Sequence, residues 1–362
     1  MSNKVELLAR QFVNAPVIED IIPYGGGHIN DTLRFKAGER YYIIQKVNKY
    51  VFKRPEDIMD NIIAVTKFLA EKIEKNGGDV TRETLNFLPA YDGKYYVVDD
   101  DGEYWRVMDF IDNTTAYESA TELSMLEKSG FAFGQFQNLL ADYPADTLHE
   151  VIKDFHNTPE RVNQLLEAIK NNNSGRAESV KAEIDFALER TEAAAELTKL
   201  LSEGKLPLKV THNDTKMSNI LIDNDSGDAI CVIDLDTVMP GLAAYDFGDS
   251  IRAGASTAAE DETDLTKVNF SLELFEAYTK GFLKVAGDAL TPLELETLPV
   301  GAKLMTYEVG IRFLADYING DVYFKTAYPQ HNLDRARNQF KLVKDMEEKW
   351  DEMMAVIHKY TK

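Results

Sequence analysis

Alternation of hydrophobic and polar positions dominates the first hundred residues and predicts a strand-rich region. The stretches that alternate, or that carry β-branched and aromatic residues, are 19–23, 32–36, 41–47, 95–99 and 103–111. A short amphipathic helix is expected over residues 4–12. A longer helix is expected within 55–76, where apolar residues recur at helical spacing until Gly77 and Gly78 end it.

Beyond residue 116 the apolar residues recur three or four apart, which predicts helices. The expected helices are 121–143, 178–202, 271–286, 301–319 and 333–360, with a strand-like stretch over 206–236. A strand-rich N-terminal part with one helix set into it, followed by a larger and mostly helical part, predicts a bilobal α+β fold. We place the join near residues 109–115 and the two domains at 1–112 and 113–362.

Composition narrows the possible partners. The chain has 362 residues, with 40 Lys and Arg against 61 Asp and Glu, and a formal net charge of −21. Such a surface repels phosphate backbones and anionic lipid, which argues against nucleic acid and membrane as partners. The single Cys231 cannot form an internal disulfide, and no signal peptide or apolar span is present, so we expect a soluble cytoplasmic protein. The sequence does not indicate an oligomeric state.

The candidate chemistry lies in the strand-like stretch. The mainly apolar stretch 208–211 runs into the polar segment His212-Asn213-Asp214-Thr215-Lys216-Met217-Ser218-Asn219, and two further apolar runs follow at 220–222 and 229–233. Two short strands of a hairpin would therefore deliver Asp214, Asn219, Asp234 and Asp236 to the same end.

This set of side chains suits phosphoryl transfer, which needs an oriented nucleophile and neutralised phosphate charge. A carboxylate can accept the proton of an acceptor hydroxyl, and carboxylate and amide oxygens are ligands for Mg²⁺. Lys216 could place a positive charge on the transferred phosphate. The alternative is an ordinary polar turn that closes a hairpin. The extended spacing from Asp214 through Lys216 and Asn219 to Asp234 favours the catalytic interpretation.

A glycine-rich segment in the N-terminal part is a candidate phosphate site. Gly25, Gly26 and Gly27 lie between two predicted strands, where backbone N–H groups could approach a phosphate closely. A hairpin turn is the alternative interpretation. The Walker pattern is absent, which argues against a P-loop kinase. His28 could pack within the loop or face the acceptor.

The segments 212–219 and 232–234 resemble the catalytic and metal-binding segments of the aminoglycoside phosphotransferase/choline kinase family, distant relatives of protein kinases. The similarity is closest to members of that family that phosphorylate N-acetylhexosamines. The stretches that carry it are 23–30, 211–216, 233–237, 246–252, 312–317 and 331–333, spread over nearly the whole chain.

The resemblance implies a protein-kinase-like fold with ATP between the lobes. It implies Asp214 as the catalytic base, with Asn219 and Asp234 as Mg²⁺ ligands. The acceptor would be the anomeric hydroxyl of N-acetylglucosamine or N-acetylgalactosamine. Residues 1–112 would bind the nucleotide through Gly25, Gly26, Gly27, Lys46, Met108 and Phe110, while His28, Asp236, Arg312 and Tyr323 match positions of the sugar site. Arg312 could instead pair with Asp316 on a helix.

Three features depart from the family pattern or leave it open. Related kinases place a lysine on the third strand, where this chain offers either Gln45 or Lys46. Ala253 replaces a larger aromatic residue, which implies a wider acceptor pocket and leaves the preferred sugar open. The segment 246–248 is interpreted as a structural acidic motif. A related kinase of another sugar, an aminoglycoside or an amino alcohol is the main alternative function, and a non-catalytic pseudokinase is the second.

Overall fold

The structure is a computed structural model that describes residues 2–26 and 29–361. Its α-helices are α1 Ser2–Ala9, α2 Pro55–Lys75, α3 Val80–Glu83, α4 Leu123–Leu139, α5 Thr158–Asn171, α6 Lys181–Leu188, α7 Glu196–Ser202, α8 Ala243–Gly254, α9 Leu272–Ala286, α10 Pro292–Asn319, α11 His331–Glu348 and α12 Trp350–Tyr360. Its strands are β1 Ile18–Pro23, β2 Asp31–Ala37, β3 Arg40–Val47, β4 Val97–Val98, β5 Tyr104–Asp109, β6 Thr114–Thr115, β7 Lys209–Thr211, β8 Ile220–Asp223, β9 Ala229–Val232 and β10 Met239–Gly241. The chain divides into two compact units.

The first unit comprises Met1–Ala116, Asp142–Ile152 and Ile220–Pro240. Its main element is an antiparallel five-stranded sheet in the order β1-β2-β3-β5-β4. Ile44 of the central strand β3 lies opposite Leu33 and Val107. Ile44 and Val107 are fully buried because α1 and β1 contribute to the same apolar cluster. A smaller sheet in the order β6-β8-β9 also belongs to this unit.

The second unit comprises Tyr117–Ala141, Lys153–Asn219 and Gly241–Lys362, and it is mostly helical. Helices α8 and α10 approach each other closely at two glycines. A Cβ at Gly301 would lie 2.0 Å from the carbonyl oxygen of Ala244, and one at Gly248 would lie 2.4 Å from the carbonyl oxygen of Gly301. Only glycine fits at these two positions, and α8 is thereby packed directly against the backbone of α10.

The α+β fold class is confirmed, with a strand-rich N-terminal region and a larger helical region. The prediction of one helix over residues 178–202 is wrong in detail, because α6 ends at Leu188 and α7 begins only at Glu196. In the segment between these helices, Arg190 donates to the carbonyl oxygen of Phe186 and also pairs with Glu347.

Two other helices also differ from their predicted bounds. The expected helix 333–360 is divided at Lys349, whose Nζ donates to the carbonyl oxygen of Phe270 at 2.6 Å. Helix α10 begins at Pro292, before the predicted start at residue 301, because Thr291 and Glu294 form a reciprocal capping box. Within the described residues 2–26 and 29–361, no helix combines the length and apolar character needed to cross a bilayer.

Candidate active site

The predicted catalytic loop follows β7 and ends in a short 3-10 turn, Met217–Asn219. The carboxylate of Asp214 is half-buried, and its Oδ1 lies 2.7 Å from Nζ of Lys216. Nδ2 of Asn219 donates to the carbonyl oxygen of Asp214 at 2.8 Å and to its Oδ2 at 3.2 Å. The structure thus brings Asp214, Lys216 and Asn219 together within the second unit, with the carboxylate bracketed by a cation and an amide.

Asp246 of α8 holds the backbone at the start of this loop. Its fully buried carboxylate accepts the backbone N–H groups of His212 at 2.9 Å and Asn213 at 2.8 Å, and Nε2 of Gln137 at 2.7 Å. Asn213 has a φ of 65°, in the left-handed region that asparagine tolerates better than most residues. This agrees with the structural role that the sequence suggested for the acidic motif 246–248.

Asp249, one turn later on α8, holds the next part of the loop. Its Oδ2 accepts the backbone N–H of Thr215 at 2.9 Å, and its Oδ1 accepts Nε of Arg252 at 3.0 Å. Burial raises the pKa of Asp249, but attraction from Arg252 and Lys216 outweighs burial, so the pKa is lowered overall. Asp249 therefore stays ionised and places a fixed negative charge next to the backbone of the loop at Thr215.

The same charges keep Lys216 protonated. Desolvation lowers the pKa of Lys216, but the negative charges of Asp214 and Asp249 outweigh it, so the pKa is raised. The Lys216 side chain is 48% exposed. A cation that is both accessible and permanently charged can contact an incoming phosphate.

The predicted metal ligands Asn219 and Asp234 belong to the second and the first unit, respectively. Asp234 follows β9, is exposed, and has a left-handed backbone with φ 60° and ψ 57°. Because Nδ2 of Asn219 donates to Asp214, its Oδ1 is the atom left to serve as a ligand. A carboxylate oxygen and an amide oxygen are the donor types that Mg²⁺ prefers, so each residue fits the predicted role chemically.

Asp236, a predicted sugar-site residue, lies in a buried ion pair of the first unit. It is 3% exposed, and its Oδ1 lies 2.6 Å from Nη1 of Arg106, itself 2% exposed. Nδ2 of Asn30 donates to its Oδ2 at 2.5 Å. Sequence reasoning missed Arg106, although a charged residue between Trp105 and Val107 in an apolar strand is an available signal.

Gln45 and Lys46, the two third-strand candidates for contact with the nucleotide phosphates, differ in their contacts. Gln45 accepts Nε and Nη2 of Arg106 at 3.0 and 2.8 Å, so it belongs to the buried network around Asp236. Lys46 lies 2.6 Å from the exposed carboxylate of Asp31 and is one-third exposed. Gln45 therefore supports the ion pair, and Lys46 is the residue of the two that keeps an accessible charge.

The remaining nucleotide-site candidates lie in or beside the five-stranded sheet. Gly25 has a φ of 79°, while Gly27 and His28 lie outside the described residues. Met108 is buried in β5, and Phe110 follows the end of that strand. The ring of Phe110 packs edge-on against Tyr24, with centroids 5.3 Å apart, which connects the end of β5 to the glycine segment.

Arg312 and Tyr323 are neighbours in the second unit. The guanidinium of Arg312 lies 6.0 Å from the ring centroid of Tyr323, and the Tyr323 side chain is exposed. Asp316, the alternative partner of Arg312, accepts the backbone N–H groups of residues 322–324 and Nδ2 of Asn332. These contacts fix the segment that carries Tyr323.

The chain matches the phosphotransferase enzyme family, APH, over residues 20–281. It is similar to the structure of a microcompartment-associated aminopropanol kinase, at 13% identity and a TM-score of 0.60, with 98% of this chain and 99% of that chain covered. It is similar to a choline kinase from Cryptosporidium parvum Iowa II, at 14% identity and a TM-score of 0.56, with 99% and 98% covered.

A third similar structure is a spectinomycin phosphotransferase in complex with ADP and spectinomycin. The identity is 12% and the TM-score 0.53, with 99% of this chain and 98% of that chain covered. Together these similarities show the protein-kinase-like fold that the sequence predicted.

Proposed function

This chain belongs to the phosphotransferase enzyme family, and from that premise we propose that it phosphorylates the anomeric hydroxyl of N-acetylhexosamines with ATP and Mg²⁺. This is the activity of an N-acetylhexosamine 1-kinase. The observation that carries the proposal is the loop in which Asp214, Lys216 and Asn219 meet, with its backbone hydrogen-bonded to the carboxylate of Asp246.

In the proposed reaction the carboxylate of Asp214 accepts the proton of the anomeric hydroxyl. The hydroxyl oxygen forms a bond to the γ-phosphorus of ATP, the bond from that phosphorus to the bridging oxygen breaks, and ADP and the sugar 1-phosphate leave. Lys216, which lies 2.7 Å from Asp214, supplies positive charge to the transferred phosphate. Mg²⁺, when bound, neutralises phosphate charge, and Asn219 and Asp234 would hold it.

The choice of acceptor rests on the similarity of the motifs to N-acetylhexosamine kinases. An anomeric hydroxyl is more acidic than an ordinary alcohol, which eases proton transfer to a carboxylate. ATP as donor is supported by the ADP complex of the similar spectinomycin phosphotransferase. The single Cys231 supports a place in the reducing cytoplasm, where ATP is available. We retain residues 1–112 and 113–362 as the proposed nucleotide-binding and catalytic domains.

A cationic acceptor is the second candidate, since the net charge of −21 would attract aminoglycosides and amino alcohols. An acceptor panel with ATP, Mg²⁺ and coupled detection of ADP separates the two. We expect turnover of N-acetylglucosamine and N-acetylgalactosamine, with an acid-labile anomeric phosphate in the product. Turnover of an aminoglycoside or an amino alcohol without turnover of any N-acetylhexosamine would overturn the proposal.

The residue roles are tested by substitution. Asp214→Asn is expected to retain the fold and nucleotide binding and to lose about 100-fold or more in kcat. Asp185→Asn, at an exposed carboxylate of α6, is the matched control and should leave kcat unchanged. Asn219→Ala and Asp234→Ala should raise the Mg²⁺ concentration needed for half-maximal rate. Near-normal kcat in Asp214→Asn would exclude Asp214 as the catalytic base. If the wild type phosphorylated no acceptor at all, the result would favour a pseudokinase.

A further inference from the structure

Two carboxylates and one imidazole from separate elements meet in the first unit, away from the catalytic loop. Asp57 and Asp60 are three residues apart on α2, which places their side chains next to each other. His149 lies in the segment 142–152 of the same unit. Each of the three side chains presents one metal-ligand atom, and these three atoms lie within 4.8 Å of one another. The group therefore combines one nitrogen donor with two oxygen donors.

His149 is held against α2 by a buried amide. Oδ1 of Asn61 accepts the backbone N–H of His149, and Nδ2 of Asn61 donates to the backbone carbonyl oxygen of His149, both at 2.8 Å. Nδ2 also donates to the carbonyl oxygen of Val238 at 2.8 Å. Because Asn61 directly follows Asp60 in the chain, these bonds fix the backbone of His149 beside the part of α2 that carries the carboxylates. A ligand that needs all three side chains therefore does not have to order this backbone.

The distance between His149 and Asp60 suits a bridging ion better than a direct contact. Nε2 of His149 and Oδ2 of Asp60 are 3.6 Å apart, which is too long for a hydrogen bond. Two ligands of a tetrahedral Zn²⁺ with bonds of about 2.0–2.1 Å are separated by about 3.3–3.4 Å. Both side chains are exposed, so they can adjust around an ion and close the remaining distance to the carboxylate of Asp57.

Arg54 is the cation that pairs with the buried carboxylate of this group. Its Nη2 lies 2.9 Å from Oδ1 of Asp57, and its side chain is 75% exposed. An ion pair with a partner in solvent contributes little to stability. A divalent ion brings twice the charge of a guanidinium to a shorter distance from the carboxylate, so it competes effectively with Arg54.

The donor set determines the class of metal. Imidazole is a common ligand of Zn²⁺ and other first-row transition ions, whereas Mg²⁺ and Ca²⁺ take oxygen ligands. One imidazole with two carboxylates therefore favours Zn²⁺ over Mg²⁺. Three protein ligands leave the remaining coordination position to water, which reaches the group through the exposed side chains of Asp60 and His149.

We propose that Asp57, Asp60 and His149 form a binding site for a divalent transition-metal ion, with Zn²⁺ as the preferred occupant. The ion joins α2 to the segment that carries His149 and so stabilises the folded first unit. This site is separate from the proposed Mg²⁺ ligands Asn219 and Asp234, and the inference does not depend on the proposed kinase activity.

The test is a calorimetric titration of the full chain with Zn²⁺ in a buffer that contains excess Mg²⁺, which occupies the sites that prefer it. His149→Ala should lower the number of bound Zn²⁺ ions by one, and Asp57→Asn and Asp60→Asn should each raise the Kd at least about tenfold. His358→Ala is the matched control, because His358 is also exposed but lies 2.8 Å from a single carboxylate, that of Glu296. This control should leave Zn²⁺ binding unchanged.

Thermal unfolding and a competing-cation variant complete the test. Zn²⁺ should raise the Tm of the wild type by at least about 2 °C and leave that of His149→Ala unchanged, and unfolding scans without Zn²⁺ show whether each variant folds. Arg54→Gln, which removes the competing guanidinium, should lower the Kd for Zn²⁺ about two- to fivefold.

A crystal soaked in Zn²⁺ should show an anomalous scattering peak between the three ligand atoms. Equal Zn²⁺ affinity of Asp60→Asn and the wild type would overturn the site, as would loss of the same ion in His358→Ala. Binding only at millimolar Zn²⁺ would reduce the group to a surface contact and also overturn it. Displacement of Zn²⁺ by an equal concentration of Mg²⁺ would refute the choice of metal.

Discussion

Replacing Arg106 by Met should destabilise the first unit severely. Nη1 of Arg106 and Oδ1 of Asp236 are 2.6 Å apart, and both side chains are almost fully buried. At an effective dielectric constant of about 20, Coulomb attraction at this distance is about 6 kcal/mol, much of which offsets the desolvation of the two charges. Removal of the guanidinium leaves the carboxylate buried with Asn30 as its remaining described donor. We expect a loss of about 3–5 kcal/mol in the free energy of unfolding.

The assay is urea unfolding followed by tryptophan fluorescence. The chain has two tryptophans, Trp105 in the first unit and Trp350 in the second. In a Trp350→Phe background, the fluorescence reports on the neighbourhood of Arg106 alone. The surface pair of Arg40 with Asp109 in the same sheet provides the control, since Arg40 is 69% exposed and Arg40→Met should cost less than about 1 kcal/mol.

A double-mutant cycle tests the reasoning. Arg106→Met combined with Asp236→Leu should be more stable than Arg106→Met alone, with a coupling energy of about 2 kcal/mol or more, because no charge is left buried. A loss below about 1 kcal/mol for Arg106→Met would refute the reasoning, as would strictly additive effects. If Asp236 instead contacts the sugar, Asp236→Asn will change KM without a matching change in stability.

Three further predictions follow from the second unit and from Cys231. Asp246→Asn should lower the free energy of unfolding by about 1–3 kcal/mol and kcat at least about tenfold, because the new amide group cannot accept both loop N–H groups. An unchanged kcat would contradict the anchoring role of Asp246. Gly301→Ala should lower the free energy of unfolding by about 1–3 kcal/mol in thermal unfolding. Gly287→Ala should be neutral, because its Cβ would make an ordinary contact with Cβ of Leu283 at 3.9 Å; equal effects would refute the close-approach argument. Burial raises the pKa of Cys231 to about 12, so little thiolate is present at pH 8. Native protein should therefore react with Ellman's reagent far more slowly than unfolded protein. Equal rates would contradict the burial of Cys231.

The parts of the site that are contiguous in sequence were predictable. Asp214, Lys216 and Asn219 lie within one short segment, so a single loop is enough to bring them together, as the structure shows. The burial of Asp236 could not be predicted in the same way, because its partner Arg106 lies on a strand far away in the sequence.

The limits of the fold prediction have the same origin. The strands β2 and β3 were predicted because their residues alternate in polarity or are rich in β-branched and aromatic side chains. Helix α8 was missed although its sequence is amphipathic, because its polar stripe of Asp246, Asp249 and Ser250 is buried against residues 212–215 and was interpreted as a motif. The segment that interrupts the helix between α6 and α7 contains the contact of Arg190 with Glu347, which no local sequence pattern reveals.

The anchoring of the catalytic loop to α8 also determines how its amide hydrogens exchange with solvent. The N–H groups of His212, Asn213 and Thr215 donate to buried carboxylates on a helix that is itself packed against the backbone of α10. Exchange at these positions requires α8 to separate from the loop. The close approach at Gly248 and Gly301 couples such a separation to loss of packing between α8 and α10. We therefore expect the amide hydrogens of this loop to exchange as slowly as those of the helical core for as long as the second unit stays folded.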